Sequence, residues 1–449
     1  MIPPTFIQEL LARTDVVDVV GRRVTLKRSG SNYLGLCPFH EEKTPSFTVS
    51  PAKQFFHCFG CGAHGSALGF LMEAEGVGFV DAVRDLAGRA GLAVPEVDRS
   101  PQQARQAQQA RAQDQVLREV MLQAESFYQQ RLKCSARAVD YLRRRGLTGE
   151  VAARYHLGYA PDERQALATA FRKYSDEVLV RSGLVVARDA QRATIKAAGT
   201  TRAPGARRFD RLRDRIVFPI RNARGDLIGF GGRVLDKGEP KYINSPESAL
   251  FHKGEELYGL FEARKAIQRA GYALVVEGYM DVIALAQHGV PQAVATLGTA
   301  CTAQHMRKLF QQAHQLVFSF DGDTAGRKAA ARALEAALPL VSDERGAKFL
   351  FLPPEHDPDS FVRANSAEAF EREVARALPL SVFLLETLAQ GLAMSSAEGR
   401  AASVARARPL FALMPESALK AQILGEFAPR VALTTAELRA QLQPGDDQP

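Results

Sequence analysis

Two short pairs of cysteine and histidine residues constrain the fold of this chain more than any other feature. Two residues separate Cys37 from His40, two separate Cys58 from Cys61, and seventeen lie between the pairs. Each pair can hold one metal ion from a tight turn, and two such turns supply a tetrahedron of ligands that suits zinc. Five cysteines in 449 residues do not make a disulfide framework, so the cluster indicates a metal site. We predict a closed structural zinc site rather than a catalytic one.

Three histidines lie close enough in sequence to complete the site, because His57 and His64 could compete with His40. The paired two-residue spacing favours His40. The flanking segments NYLGLC, SFTVS and QFFHC are short, aromatic and β-branched, which predicts a small antiparallel sheet. We therefore expect a zinc-ribbon β domain over residues 1–98.

Basic and aromatic residues are interleaved in this predicted ribbon. Such a surface suits single-stranded nucleic acid, because cations bind phosphate and rings stack on bases. The alternative is that the phenylalanines form the ribbon's own small core, which we expect of about half of them. The residues concerned are Lys27, Arg28, Lys43 and Lys53 with Tyr33, Phe47, Phe55 and Phe56.

Length and charge set further limits on the class of protein. A chain of 449 residues predicts about three domains of ~150 residues. There is no apolar run of about 18 residues and no signal-peptide core, so we expect a cytoplasmic protein without membrane contact. The net charge is +8, and residues 207–241 hold 10 Lys and Arg against 5 acids. This basic stretch predicts a polyanionic partner docking mid-chain, the alternative being a solvated face.

The remaining pattern predicts an α/β multidomain protein. The Gln, Ala and Arg bias of residues 99–115 predicts a linker that can be partly helical. Residues 116–265 form a basic mixed α/β region, in which RIVFPIRNARGDLIGFGGRVL predicts two strands joined by a turn. Residues 266–362 alternate apolar runs with helical patterns, which predicts a parallel sheet with crossover helices. Residues 363–449 are predicted to be helical.

Carboxylates follow the apolar strands of that predicted parallel sheet. Glu277 ends one apolar run, Asp321 and Asp323 end the next, and Asp357 and Asp359 follow AKFLFLPP. Because the ends of parallel strands meet at one edge of a sheet, where ligands bind, we expect these acids to converge. Converging acids repel one another unless cations lie among them, and Mg²⁺ takes oxygen ligands and bridges carboxylate to phosphate. Two such ions can activate an attacking hydroxyl and stabilise leaving pyrophosphate.

Two alternative roles for these acids fit the sequence less well. A lone DGD sequence is often an ordinary turn, but this one has Glu277 and the later acids at matching strand ends. An aspartyl-nucleophile phosphatase also places D-x-D after a strand. It would need a nearby hydroxyl and a lysine in its own arrangement, and it accounts for neither the zinc pairs nor the basic middle.

Many segments resemble one family in order along the chain, from residue 4 to about residue 440. They are PTFIQELLARTD, CPFHEEKTPSF, FHCFGCGAHG, RDRIVFPIRNARGDLIGFGGR, PKYINSPES, FHKG, LYGL, VVEGYMDV, FDGDTAGRKAA and HDPDS. The chain is similar to bacterial DNA primases of the DnaG type. The resemblance implies a zinc ribbon and an RNA polymerase core with a TOPRIM fold. It also implies synthesis of short RNA primers from ribonucleoside triphosphates on single-stranded DNA at the replication fork.

The resemblance also implies roles for individual residues. Glu277, Asp321 and Asp323 match ligands of Mg²⁺ or Mn²⁺, and Asp281, Asp357 and Asp359 match further acids of the same site. Arg145 matches an arginine near the template, although Arg143 and Arg144 blur that match. The family has a basic ridge beside the acids that binds nucleotide. The residues that match it are Arg233, Lys241, Tyr242, Asn244 and Lys253, of which Arg233 and Lys241 are also expected to bind the template.

Topoisomerases and related nucleases share the TOPRIM acids, but they lack a zinc ribbon combined with PKYINSP. A single-strand-binding module with an inactive TOPRIM fold is a further alternative, against which the intact acids argue. Full-length primases carry a C-terminal helical domain that binds the replicative helicase. This chain ends at AQLQPGDDQP, about where the polymerase core should stop, so we expect the helicase-binding domain to be absent.

Overall fold

The computed structural model describes residues 2–40, 42–75, 77–94, 101–188, 207–236, 238–320 and 324–442. The chain divides into two compact units, Met1–Ala112 and Gln113–Pro449. The stretch 99–115, predicted as a linker, is helical from Pro101 onward. The Ala and Gln residues that suggested a linker are also good helix formers, which is why composition alone could not decide between the two.

The first unit contains an antiparallel sheet whose strands pair in chain order. Phe47 and Val49 are buried while Thr48 and Ser50 are half-buried, which is the alternation expected of a strand with one covered face. Asp15 caps the second helix by accepting a hydrogen bond from Val17 N. The strands are β1 (Lys27–Ser29), β2 (Asn32–Gly35), β3 (Phe47–Ser50), β4 (Phe55–Cys58) and β5 (His64–Gly65), and the helices are α1 (Pro4–Ala12), α2 (Val16–Gly21), α3 (Ala67–Glu75) and α4 (Phe79–Arg89).

The first long helix begins in the first unit and ends in the second, where further helices and a mainly antiparallel region follow it. Helix α5 (Pro101–Cys134) is followed by α6 (Ala136–Arg144), α7 (Gly149–Arg154), a 3-10 turn (Ala166–Thr169) and α8 (Glu177–Arg181). The strands are β6 (Gly158–Ala160), β7 (Val185–Arg188), β8 (Arg207–Asp210), β9 (Arg215–Arg221), β10 (Leu227–Val234) and β11 (Tyr242–Asn244). A sheet has the order β11-β10-β9-β6, and β7 pairs with β8. Strands β9 and β10 are the predicted pair, joined by the turn between Arg221 and Leu227.

A parallel sheet with crossover helices follows, as the sequence predicts. Its strands are β12 (Tyr272–Val276), β13 (Ala293–Ala295), β14 (Gln315–Phe320), β15 (Gly346–Phe351) and the antiparallel edge β16 (Leu378–Pro379), in the order β13-β12-β14-β15-β16. β12 and β14 are buried along nearly their whole length, because helices cover both faces. The helices are α9 (Leu260–Ala270), α10 (Tyr279–Gln287), α11 (Ala303–Phe310), α12 (Thr324–Ala337), α13 (Pro358–Ala364) and α14 (Ala367–Arg376).

The C-terminal part is helical, as predicted, and shares a core with the parallel sheet. Phe318 and Phe349 from the sheet belong to the same buried cluster as Phe383, Phe411 and Phe427. The helices are α15 (Leu380–Ala389), α16 (Ala397–Leu413), α17 (Ala418–Arg430) and α18 (Thr435–Leu442). Among the residues that the structure describes, no helix combines the length and apolar character needed to span a bilayer.

Candidate functional site

The structure brings Cys37, His40, Cys58 and Cys61 together in the first unit. Their ligand atoms all lie within 4.8 Å of one another. Cys37 Sγ lies 3.7 Å from Cys61 Sγ, and Cys58 Sγ lies 3.7 Å from His40 Nδ1. A tetrahedral zinc ion with bonds of about 2.3 Å to sulfur needs ligand atoms about 3.8 Å apart. The four side chains therefore fit a closed structural zinc site.

The competing histidines have other surroundings. His64 Nδ1 lies 2.8 Å from the Gly62 carbonyl oxygen, and the His64 ring stacks with that of His57 at 6.0 Å. Gly60 explains how the second Cys pair approaches His40 so closely. A Cβ atom at Gly60 would lie 2.6 Å from His40 Nε2, so only glycine leaves room for the imidazole.

The aromatic residues of the ribbon divide between core and surface. Phe47 and Phe56 are fully buried and stack at 5.2 Å, so they form the ribbon's core rather than a surface for bases. Phe55 is 36% exposed, and Phe59, which sequence reasoning missed, is 75% exposed. Phe59 lies between the two cysteines of a pair, where the turn directs its side chain outward. The contact of its ring with His57 (4.5 Å) adds to an exposed aromatic surface.

In the second unit, the predicted acids follow the strands of the parallel sheet. Glu277 is exposed directly after β12, and Asp281 lies in the first turn of α10. A cavity of about 240 Å³ opens beside Glu277, and Cys301 and Arg332 also line it. Asp321 and Asp323 lie outside the described residues. Glu277 directly follows β12, which pairs with β14. Its carboxylate therefore lies at the carboxyl-terminal edge of the parallel sheet and offers oxygen atoms of the kind that hard divalent cations bind.

Asp357 and Asp359 have structural partners that the sequence did not predict. Asp357 caps α13, accepting a hydrogen bond from Ser360 N at 2.7 Å. Asp359 is 3% exposed and lies 2.8 Å from Arg363 Nε. Burial raises the pKa of Asp359, an effect that the positive charges of Arg363 and Arg145 oppose. Both acids therefore order the start of α13, and Arg145 is close enough to interact with Asp359.

Arg233 lies in the most unusual environment of the predicted basic residues. Its guanidinium lies over the rings of Tyr141 (5.6 Å) and Tyr242 (5.4 Å). Arg233 is only 5% exposed, yet its Nε and Nη1 have no hydrogen-bond acceptor within the described parts of the chain. A buried cation with unused donors has a strong tendency to bind an anion. Tyr242 reaches it because the two residues pair directly across β10 and β11.

Tyr141, which sequence reasoning also missed, connects Arg233 to the template candidate Arg145. The Arg145 guanidinium lies 5.9 Å from the same Tyr141 ring. Burial raises the pKa of Tyr242 to about 12; Arg233 and Arg145 act to lower it, while Asp281 acts to raise it. These effects place Arg233, Arg145 and Asp281 around one tyrosine, so cations and an acid share this part of the site.

The remaining ridge residues differ in what they contact. Asn244 donates to Leu297 O (2.8 Å) and accepts from Tyr279 OH (2.6 Å), so its side chain links β11 to α10 and to the segment after β13. Lys241 is exposed. The carbonyl oxygen of Lys253 accepts a hydrogen bond from His305 Nε2 (2.9 Å), which fixes the backbone beneath its ammonium group.

Family models match most of the chain in order. A CHC2 zinc finger model matches residues 2–102, the N-terminal domain of the DNA primase catalytic core matches 127–264, and a Toprim-like model matches 274–362. A fourth model, described as the DnaB-helicase binding domain of primase, matches residues 381–440.

Known proteins agree with these models. The DNA primase of Neisseria meningitidis serogroup A is 48% identical, over 96% of this chain and 73% of its own length. The DnaG primase catalytic domain solved with single-stranded DNA is 42% identical, with a TM-score of 0.64, over 71% of this chain and 99% of its own. The zinc-binding and RNA polymerase domains of Aquifex aeolicus primase are 31% identical, with a TM-score of 0.59, over 96% of this chain and 98% of theirs.

The match at residues 381–440 overturns one expectation. The helicase-binding domain was expected to be absent, but helices α15 to α18 cover the matched range. The expectation was wrong because these helices carry no chemical motif, and their apolar periodicity is the same as that of any packed helical subdomain. Helical pattern alone could not separate them from the polymerase core.

Proposed function

The chain belongs to the bacterial DNA primase family of the DnaG type, and we propose that its acidic sheet edge and Arg233 together join ribonucleotides on a single-stranded DNA template. Primases of this kind are nucleotidyltransferases that make short RNA primers for DNA replication. The observation that carries our assignment of residues is the buried Arg233 guanidinium, whose Nε and Nη1 have no acceptor in the described parts of the chain. It lies over Tyr242, whose pKa is also affected by the charges of Asp281 and Arg145.

We assign the acids to cation binding. Glu277, Asp321 and Asp323 would hold Mg²⁺ or Mn²⁺, with Asp281 nearby, because these groups offer oxygen ligands at the ends of adjacent strands. When bound, such ions activate an attacking 3′-hydroxyl and stabilise the departing pyrophosphate. The protein needs no covalent nucleophile, because positioning and charge stabilisation supply most of the catalysis in phosphoryl transfer. Asp357 and Asp359 support this edge by ordering α13.

We assign the cations to the polyanionic substrates. Arg233, whose guanidinium lies over two tyrosine rings, can donate two parallel hydrogen bonds to a phosphate group. Lys241 and Lys253 extend positive charge beside it, and Arg145 extends it towards the template. Tyr242 and Asn244 act mainly as positioning residues, because one stacks on Arg233 and the other joins β11 to α10.

Primer synthesis from labelled ribonucleotides, with single-stranded template and Mg²⁺, tests this proposal. We expect Glu277→Gln to lower synthesis by at least about 100-fold, because it removes a charge from the cation site. Glu344→Gln is the matched control, since Glu344 is exposed just before β15, at the opposite edge of the sheet. Normal synthesis by the Glu277→Gln protein at saturating Mg²⁺ would remove the acids from the mechanism and favour a binding module.

The C-terminal helices suggest a partner. We propose that α15 to α18 bind a replicative helicase of the DnaB type at the replication fork in the cytoplasm. Leu413, at the end of α16, is 45% exposed and is a candidate contact. Leu413→Asp should weaken the complex with purified helicase in sedimentation experiments while leaving primer synthesis without helicase unchanged. Equal binding by both proteins would place the contact elsewhere.

A further inference from the structure

A single acidic side chain next to the zinc ligands carries an inference beyond primer synthesis. We propose that Glu42 is a positioning residue that fixes the metal-binding form of His40 and couples the first ligand pair to the second. The side chain of Glu42 is only 9% exposed, although it lies in the charged sequence HEEK. A carboxylate buried this far requires partners, and Glu42 has them on both sides.

The first set of contacts is with the Cys37–His40 turn. Glu42 Oε1 accepts a hydrogen bond from Cys37 N at 2.7 Å, and Oε2 lies 3.3 Å from His40 Nε2. The carboxylate therefore closes the turn from which Cys37 and His40 reach the metal. It fixes the backbone of one ligand and the side chain of the other.

The His40 contact decides which nitrogen can bind zinc. His40 Nδ1 faces Cys58 Sγ at 3.7 Å, so Nδ1 is the ligand atom. A neutral imidazole that binds metal through Nδ1 must carry its hydrogen on Nε2. Because a carboxylate only accepts hydrogen bonds, Glu42 favours this tautomer and holds the imidazole with Nδ1 towards the metal site.

The second set of contacts leads to the other ligand pair through Ser46. Glu42 Oε1 accepts from Ser46 N at 3.1 Å, and Oε2 accepts a short hydrogen bond from Ser46 Oγ. Ser46 Oγ also lies 3.3 Å from Cys58 Sγ. Because the one hydroxyl hydrogen of Ser46 is donated to Glu42, the approach to Cys58 Sγ is a packing contact. The contacts from His40 through Glu42 and Ser46 therefore end against a ligand of the second pair.

The contacts of Glu42 and Ser46 lie against the packed core of the ribbon. Ser46 directly precedes the fully buried Phe47, which pairs with Cys58 across β3 and β4. A Cβ atom at Gly60 would lie 2.8 Å from Ser46 Oγ, so the space is already filled. Hydrogen bonds to a charged group are stronger in such a site than in water, because the local dielectric constant is lower.

Glutamine is the informative replacement at position 42. If its amide oxygen faces Cys37 N, its NH₂ group faces His40 Nε2 and favours the tautomer that cannot bind zinc through Nδ1. If the oxygen faces His40, the NH₂ group opposes the Cys37 N–H. Glu42→Gln therefore cannot satisfy both contacts, even though its volume is almost unchanged.

The experiment uses the full chain loaded with zinc. Zinc release to a coloured chelator is followed for Glu42→Gln, Ser46→Ala and Glu9→Gln. We expect release about 10- to 100-fold faster for Glu42→Gln, the usual effect of removing a partner of a metal ligand, and a smaller acceleration for Ser46→Ala. Glu9→Gln is the control for charge, because Glu9 is an exposed acid of the same unit, and it should match the wild type.

A measurement on the unaltered protein keeps the proposal testable if the variants fold poorly. In ¹⁵N-histidine spectra of the zinc-loaded chain, His40 should be metal-bound at Nδ1 and protonated at Nε2. Metal binding through Nε2 would overturn the proposal, as would zinc release from Glu42→Gln within twofold of the wild type. Neither result would bear on primer synthesis, since the readout is the metal site itself.

Discussion

At the scale of single residues, Arg233 is informative because its shape matters as well as its charge. The planar guanidinium lies over the rings of Tyr141 and Tyr242, and a lysine ammonium has neither a planar face to set against a ring nor two parallel donors. We expect Arg233→Lys to lower primer synthesis about 10- to 100-fold, although the net charge is unchanged, corresponding to about 1.4–2.7 kcal/mol. The measurement is initial rate against nucleotide concentration.

The control for this substitution is Arg224→Lys, at an exposed position in the turn between β9 and β10. It should leave the rate unchanged. Arg233→Ala should in addition make the affinity for single-stranded DNA less dependent on salt, because one phosphate contact is lost. An Arg233→Lys protein with wild-type kinetics would show that the site uses only the charge of Arg233.

The arginine and the acids could be predicted at this scale, but their tyrosine neighbours could not. Residues such as Glu277 and Arg233 lie in motifs that can be recognised along the sequence. Tyr141 comes from α6, far from β10 in the chain, and only the tertiary fold places it under Arg233. Glu42 gives no sequence signal for a different reason: an acid in a charged segment is normally exposed, and nothing local indicates its burial.

At the scale of elements, the close approach of β10 to α10 determines where Arg233 lies. A Cβ atom at Gly231 would lie 2.7 Å from Tyr279 Cε2. We therefore expect Gly231→Ala to push β10 away from α10 and to lower the free energy of unfolding by about 1–3 kcal/mol. The displacement should also reduce primer synthesis, because Arg233 lies two residues further along the strand.

Gly229→Ala is the matched control on the same strand, where the nearest atom to a Cβ would be at an ordinary 3.4 Å. Thermal unfolding and primer synthesis of the two variants are compared. Equal behaviour of the two proteins would contradict the argument from close approach. A loss of activity by Gly231→Ala without loss of stability would still support a positioning role for the β10–α10 contact.

The N-terminus of α11 holds the Lys253 backbone through His305. The buried His305 accepts a hydrogen bond from Thr302 N through Nδ1 and donates one from Nε2 to Lys253 O. Burial lowers its pKa below the ordinary value of about 6.5. The unfolded chain therefore binds more protons between the folded and unfolded pKa values. The stability contributed by His305 is complete above about pH 6.5 and is lost as the pH falls below it.

We expect His305→Gln to lower the free energy of unfolding at pH 7.5 by about 1–3 kcal/mol, through lost buried hydrogen bonds. It should also flatten the fall in thermal midpoint between pH 7 and pH 5. His314→Gln, at an exposed position nearby, should keep the wild-type pH dependence. An unchanged pH dependence in His305→Gln would show that burial does not shift the titration of this imidazole between the folded and unfolded states.

Helices and strands could be predicted from the sequence where their burial produces a regular pattern of apolar residues. The strands of the parallel sheet are short continuous apolar runs followed by helical patterns, and the structure has them at those positions. Periodicity did not reveal that α5 begins at Pro101, within the predicted linker. The mixture of Gln, Ala and Arg there is equally compatible with a linker and with a helix, so composition could not choose.

At the scale of the whole molecule, the two units have separate hydrophobic cores. The buried cluster that contains Cys37 and Cys58 is formed only by residues of Met1–Ala112, whereas the clusters of the parallel sheet belong to Gln113–Pro449. The length alone predicts about three domains, whereas the structure has two compact units. The clustering of the metal ligands in the first unit was the stronger guide.

Separate cores predict that zinc stabilises one unit and not the other. Apparent binding free energies of structural zinc are about 10–16 kcal/mol, comparable with the whole stability of a domain. Removing zinc with a strong chelator should therefore cause fast amide hydrogen exchange in β3 and β4, which lead into the second ligand pair. Exchange in β12 and β14 should not change. The Cys58→Ser protein should behave like the zinc-free wild type. Retained protection of β3 and β4 without zinc would mean that the buried ring cluster of Phe47, Phe56 and Phe70, the last from α3, suffices to fold the ribbon. Loss of protection in β12 would mean that the cores are coupled.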